Sequence, residues 1–211
     1  VVVLPNAITQ ISQLLQFANQ AHIPVVTRGM GSGLAAATVP FQGGIVLSTT
    51  RMNRILEIDK LNATIQVESG VITADLQSAV EKRGLFYPPD PSSIKHSTIG
   101  GNIACNAGGP RCLKYGVTGD YVLGLTVVLA DGQVLHTGSK SIKDVVGYDL
   151  AALFTGSEGT LCVIAEALLR LISKPIAIRT ALAEFPSLAD ASQTVNAILS
   201  SGITPATIEL M

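Results

Sequence analysis

Charge is scarce in this sequence. Asp, Glu, Lys and Arg make up 14% of its 211 residues and sum to a formal net charge of −1. No basic block stands out, which argues against nucleic acid as the main partner. Cysteine is limited to Cys105, Cys112 and Cys162, with no C-x-x-C pair. Zinc and iron–sulfur sites need more ligands at closer spacing, so no metal site is expected. The three thiols read as small buried residues of a reducing compartment. Long apolar runs are missing too: Val122–Ala130 is interrupted and far too short to span a bilayer. The N-terminus has no basic region followed by an apolar core, so no signal peptide is read there.

Hydrophobic residues make up 47% of the chain, which marks it as globular. Its length fits one large domain or two small ones. The chain starts at Val1 inside an apparent strand and ends at Met211 inside another. This pattern and the positive mean hydropathy are expected of a piece of a longer polypeptide, or of a subunit with a large interface. Low charge also favours association into a homo-oligomer.

Periodicity supplies the elements. Val1–Leu4 reads as a strand, and Asn6 or Thr9 as the cap of a helix running to about Ala21. Pro24–Thr27 resumes as a strand, completing a β-α-β unit, and Ile45–Ser48 is another. Arg54–Ile58 and Ala63–Glu68 alternate with period two, as antiparallel strands do. Thr73 is expected to cap a helix ending near Gly84. Tyr121–Ala130 and Gln133–Thr137 flank the hairpin signal Asp131-Gly132. Asp149 caps a short helix through Phe154, and Leu161–Ile172 reads as one long strand. Beyond Pro175 a strand, helix and strand are expected at Ala177–Glu184, Leu188–Ser200 and Ala206–Met211, with Ser187 as the helix cap.

Three segments carry chemistry. The first, Thr27–Leu34, holds Arg28-Gly29-Met30-Gly31-Ser32-Gly33-Leu34, a glycine-rich turn directly after a strand. Such a turn exposes several backbone N–H groups in one concavity and suits phosphate oxygens. A turn that merely reverses the chain is the alternative. The spacing is GxGxG, and Ala35–Gly44 with Pro40 is no helix, so the dinucleotide motif GxGxxG is excluded. The second segment is Pro88–Gly109, long and nearly uncharged. Its Ser97–Asn102 stretch offers hydroxyls, free backbone donors and an amide beside a helix start, suited to a long polar cofactor; an ordered loop without ligand is the alternative. The third joins Gly147–Leu150 to Gly156–Leu161. There Asp149 and Glu158 are read first as capping and turn residues.

The strings RGMGSGLA, PPDPSSIKHSTIGGNIACNAGG, KYGV, VVGYDLAALF and GSEGTLCVI occur in one order. In that order the chain resembles the FAD-linked oxidases of the vanillyl-alcohol oxidase/PCMH superfamily, in the branch of glycolate oxidase large subunits and D-lactate dehydrogenases. The resemblance covers nearly all of residues 1–175. It implies an α+β fold: a PCMH-type FAD-binding domain of two α/β subdomains, about 1–50 and 51–174, then the start of a ferredoxin-like cap domain over 175–211. It also implies an FAD between the subdomains. Arg28, Gly29, Met30, Gly31, Ser32, Gly33 and Leu34 would hold its pyrophosphate. Pro89, Asp90, Pro91, Ser97, Thr98, Ile99, Gly100, Gly101, Asn102, Asn106, Gly108 and Gly109, with Tyr115 and Gly116, would line its pyrophosphate, ribityl and flavin portions. Glu158, Gly159 and the strand to Ile164 would face the adenosine.

Some members bond flavin covalently through a histidine in the first glycine loop. Ser32 stands there here, so dissociable FAD is expected. The implied reaction oxidises a small 2-hydroxy acid, with hydride passing to flavin N5, and iron–sulfur partner subunits are among the implied partners. The implied location is cytoplasmic, or peripheral to the inner membrane through such partners. The substrate ligands and catalytic base are expected beyond residue 211. The alternatives are an electron-relay flavin subunit, a flavin reductase of the UDP-N-acetylenolpyruvoylglucosamine type, and a binding module without flavin.

Overall fold

The computed structural model describes residues 1–141 and 143–210. It begins with β1 (Val2–Val3), α1 (Ile8–Gln20), β2 (Val25–Arg28) and β3 (Ile45–Ser48), then β4 (Ile55–Asp59), β5 (Thr64–Glu68), α2 (Thr73–Glu81) and β6 (Leu85–Phe86). There follow α3 (Ile99–Ala104), α4 (Cys112–Tyr115), β7 (Val122–Leu129), β8 (Val134–Gly138), α5 (Leu150–Phe154), β9 (Cys162–Arg170), β10 (Ile172–Ser173) and α6 (Leu188–Ser200). A three-stranded parallel sheet has the order β1-β3-β2, and a five-stranded antiparallel sheet the order β4-β5-β9-β7-β8.

The two sheets share α1. Its apolar residues recur at helical spacing, and Ile11, Leu15 and Ala18 are buried. Ile11 and Leu15 pack with Leu47 of β3 and with Val128, Val163 and Ala165 of β7 and β9. The opposite face of the large sheet buries Ile65, Val67, Val127 and Ile164 against Leu76 and Val80 of α2 and Ile99 and Ile103 of α3. One helix therefore glues the parallel unit to the sheet, while α2 and α3 cover the other side.

A bulge in β9 makes this two-sided packing possible. Thr126 pairs with Glu166 but Val127 pairs with Ile164, leaving Ala165 as the extra residue. Core-facing positions accordingly shift from Cys162 and Ile164 to Ala167 and Leu169. The displaced Ala165 carbonyl accepts from the Ser69 N–H at 2.9 Å, and the Ser69 carbonyl accepts from Gly100 N–H at 2.8 Å. The bulge thus ties the sheet to the first turn of α3.

Several details differ from the sequence expectations. The cap of α1 is Ala7, with no side-chain cap bond, rather than Asn6 or Thr9. Gln10 Oε1 instead reaches back to accept from the Asn6 N–H at 2.9 Å. Thr73 is the first residue of α2, not its cap, because its hydroxyl is drawn into a buried network. The long strand expected over Leu161–Ile172 breaks at Leu171, whose N–H goes to the Ala63 carbonyl, and β10 pairs with β6 instead. Ala177–Glu184 and residues 206–210 form no strand, because an extended segment needs a ladder partner and none is present among the described residues. Met211 lies outside the described residues. The helix between them does form, and Ser187 Oγ accepts from Asp190 N–H at 3.2 Å. Cys162 is buried as expected, but Cys105 is exposed and Cys112 half-buried.

Candidate functional site

Parallel strands leave their carboxyl ends open beyond the last ladder bond, and the glycine turn begins there, at Arg28. Among the described residues, no N–H from Gly29 to Thr38 has a protein partner. Gly31 has φ +71°, which glycine adopts without a Cβ penalty. Free donors in succession on a turn make an anion-binding concavity.

Gly29 lies against α3. A Cβ there would overlap Thr98 Oγ1, the hydroxyl that caps α3 by accepting from Gly101 N–H at 3.2 Å. Gly100 lies equally close to the sheet, since a Cβ on it would stand 2.6 Å from Ser69 Cβ. Bare backbone is thus what lets the turn, α3 and the bulged sheet meet.

The second segment differs from expectation in one respect: five of the six backbone donors in Ser97–Asn102 are not free. The N–H groups of Ser97, Ile99, Gly100, Gly101 and Asn102 are taken by Ser93 O, Val71 O, Ser69 O, Thr98 Oγ1 and Thr98 O. The buried side chains beneath are also committed. Thr73 Oγ1 lies 3.0 Å from both Ser97 O and Ser97 Oγ and accepts from Asn102 Nδ2 at 2.7 Å. Thr73→Val strands these groups, and the expected loss of stability is about 1–3 kcal/mol, measured by urea denaturation.

A crevice results, lined by Thr27, Gly29, Ala37, Thr38, Thr49, Gly100, Gly101, Ala104, Cys105, Glu158, Gly159, Cys162 and Ile164. Gly29, Gly100, Gly101, Glu158, Gly159 and Ile164, from three separated motifs, therefore line the same crevice. Arg28, Met30, Ser32, Gly33 and Leu34 are exposed on the turn beside it, with Gly31 half-buried among them. Thr98 and Ile99 are buried under its floor. Pro89, Asp90, Pro91, Asn106, Gly108, Gly109, Tyr115 and Gly116 do not line it. Asp90 pairs with Arg111 at 3.1 Å, and a Cβ on Gly109 would overlap the Asp90 carbonyl. Burial still raises the Asp90 carboxyl above its ordinary range, outweighing the bond from the Arg111 N–H and the guanidinium charge. Asn106 accepts from Gly119 N–H at 2.8 Å, while Tyr115 packs edge-on to Phe86 and its carbonyl accepts from Tyr121 OH. A Cβ on Gly116 would overlap Asp120 Oδ2.

Lining residues that sequence reasoning missed are Ala37, Thr38 and Thr49, while Ala104 and Cys105 lay inside the second segment without a role. Thr49 had a usable signal, since it follows the carboxyl end of the parallel strand β3. Glu158 holds φ +52°, an uncommon conformation for a residue with a side chain, and its N–H is fixed by Ala104 O at 2.8 Å.

Burial pushes the Cys162 thiol up to about 11, and burial with the Glu158 charge also raises Cys105. The native state therefore holds the Cys162 proton after the unfolded chain has lost it at about 9. Stability is full below pH 9 and falls as pH rises through about 11, by on the order of 2 kcal/mol from this group. Thermal melts between these limits show the decline, and Cys162→Ala flattens it.

Residues 1–138 match the family described as FAD binding domain, and residues 174–211 match FAD linked oxidases, C-terminal domain. The chain is 52% identical over 210 residues to glycolate oxidase subunit GlcD of Bacillus subtilis, covering 100% of this chain and 45% of that protein. It is 44% identical over 195 residues to D-lactate dehydrogenase of Archaeoglobus fulgidus, covering 92% of this chain and 44% of that one. A solved alkyldihydroxyacetonephosphate synthase superposes with a TM-score of 0.83 at 27% identity, covering 98% of this chain and 36% of that chain. The chain spans about half the length of the curated relatives it matches.

Proposed function

This chain belongs to the FAD-binding-domain family of FAD-linked oxidases, and from that premise we propose that it is the cofactor-holding portion of a flavin-dependent 2-hydroxyacid dehydrogenase, acting on glycolate or D-lactate. The observation that carries the reading is the shared crevice, with free N–H groups on one side and glycine backbone on the other. The residues fit an FAD. Gly29–Leu34 supplies unpaired donors for the pyrophosphate, Gly100 and Gly101 admit close approach, and Glu158–Ile164 offers a wall for the adenosine. Bound there, FAD supplies the hydride acceptor.

The protein's own contribution is to position and to exclude water. The α3 donors are consumed by the fold, so α3 acts here as a rigid floor fixed by Thr98, Ser69 and the Thr73 network. Among the described residues, no histidine, arginine or lysine lines the crevice, so none is assigned as base or substrate-carboxylate ligand. The reading places those groups in the further length that the relatives possess. Residues 1–174 then form the FAD domain and 175–211 the opening of a cap. Partner subunits carrying iron–sulfur centres, self-association, and a cytoplasmic site at the inner membrane face belong to the same reading. No helix among the described residues is long and apolar enough to cross a membrane.

With Ser32 in the glycine turn, the flavin is dissociable. Acid precipitation of FAD-loaded protein is expected to give a white pellet and a yellow supernatant. A pellet that stays yellow contradicts non-covalent binding. Neither glycolate nor D-lactate is expected to bleach flavin held by this chain alone, whereas bleaching would place the catalytic groups within it.

A further inference from the structure

The segment following the glycine turn is left largely in solvent. Every residue from Ser32 to Ala37 is exposed, with Leu34 at 102% and Phe41 at 82%. Its backbone is lightly anchored: beyond the unpaired run to Thr38, the bonds are Val39 N–H to Ala36 O, Phe41 N–H to Val39 O and Gly43 N–H to Pro40 O, all local to the segment and its end. Glycines bracket it. A Cβ on Gly33 or Gly43 would meet nothing within 4 Å, so packing leaves these two free, while Gly44 is seated against the Pro24 carbonyl. Gly31, Gly43 and Gly44 hold φ of +71°, +72° and +89°, and Ala36 sits at +60° without the freedom of glycine. Ala37 and Thr38 already stand on the rim of the crevice.

Resting on the FAD reading above, we propose that Gly33–Gln42 is a strap that closes over the bound cofactor, pivoting at Gly33 and Gly43. Closure gives the unpaired N–H groups phosphate oxygens to bind and turns Leu34 and Phe41 from solvent onto the crevice mouth. The exposed apolar side chains then have a place to be buried, which offsets the ordering of the strap. The left-handed Ala36 marks a conformation that closure relaxes.

Amide hydrogen exchange and limited chymotrypsin digestion read this directly, on the protein alone and with FAD or ADP added. The free chain is expected to exchange residues 29–38 fast and to be cut at Leu34 or Phe41. With FAD, cleavage there is expected to slow at least tenfold, along with protection of the same amides. ADP gives the amide protection if the diphosphate suffices to draw the strap in. Flavin absorbance measured on the same samples separates the two claims. If the flavin is bound while Leu34 and Phe41 are cut as before, the strap is wrong and the cofactor reading stands. If no flavin binds, both fail.

Discussion

Gly29→Val is expected to weaken FAD binding at least tenfold while leaving the circular-dichroism spectrum of the fold in place. The Cβ at this position overlaps Thr98 Oγ1, and its other near neighbours are Thr98 Cβ at 3.3 Å and Cγ2 at 3.4 Å. Overpacking of this kind costs about 1–3 kcal/mol, and about 1.4 kcal/mol is already tenfold in affinity. The turn is exposed and can shift, whereas Thr98 is buried at the start of α3, so the strain falls on the donors facing the crevice. The double variant Gly29→Ala/Thr98→Ala removes the nearest obstructing atom and is expected to recover part of the binding lost in Gly29→Ala. Undiminished FAD affinity in Gly29→Val would show that the turn does not line the cofactor.

Ile11→Ala is expected to be the most destabilising of these substitutions. Ile11 is fully buried where α1, β3 and the bulged strand β9 converge, and it belongs to the small core joining the two sheets. Truncating such a residue costs about 2–5 kcal/mol. For a chain of this size that lowers Tm by roughly 5–15 °C. Because the crevice lies where the parallel unit meets the sheet, FAD added in excess is expected to recover part of the lost Tm. A melt within about 1 °C of the parent protein would mean that α1 does not bind the two units together.

Much of the frame was legible because its signals are local. Asp131-Gly132 turns the β7–β8 hairpin with Gly132 at φ +85° and Asp131 Oδ1 accepting from Gln133 N–H. Ile45–Ser48 was bounded by its paired glycines, and the Asp149 and Ser187 caps both make their bonds. The features that escaped depend on long-range partners. The bulge at Ala165 exists because Ser69, nearly a hundred residues away, takes its carbonyl. Thr73 carries the residue type of a helix cap, and only the fold reveals Ser97 and Asn102 around it. Similarly, Ser97–Asn102 reads as a row of free donors until α3 and Ser69 are seen to consume them, which shifts the weight of anion binding to Gly29–Thr38. The expected strands beyond Pro175 find no neighbour to pair with among the described residues.

An equilibrium titration of the purified protein with FAD, followed by removal of the excess and a visible spectrum, tests the central claim most directly. The account predicts a saturable complex with one FAD per chain, weakened by competing ADP and at least tenfold weaker in Gly29→Val. A folded protein that retains no flavin at any concentration would contradict it.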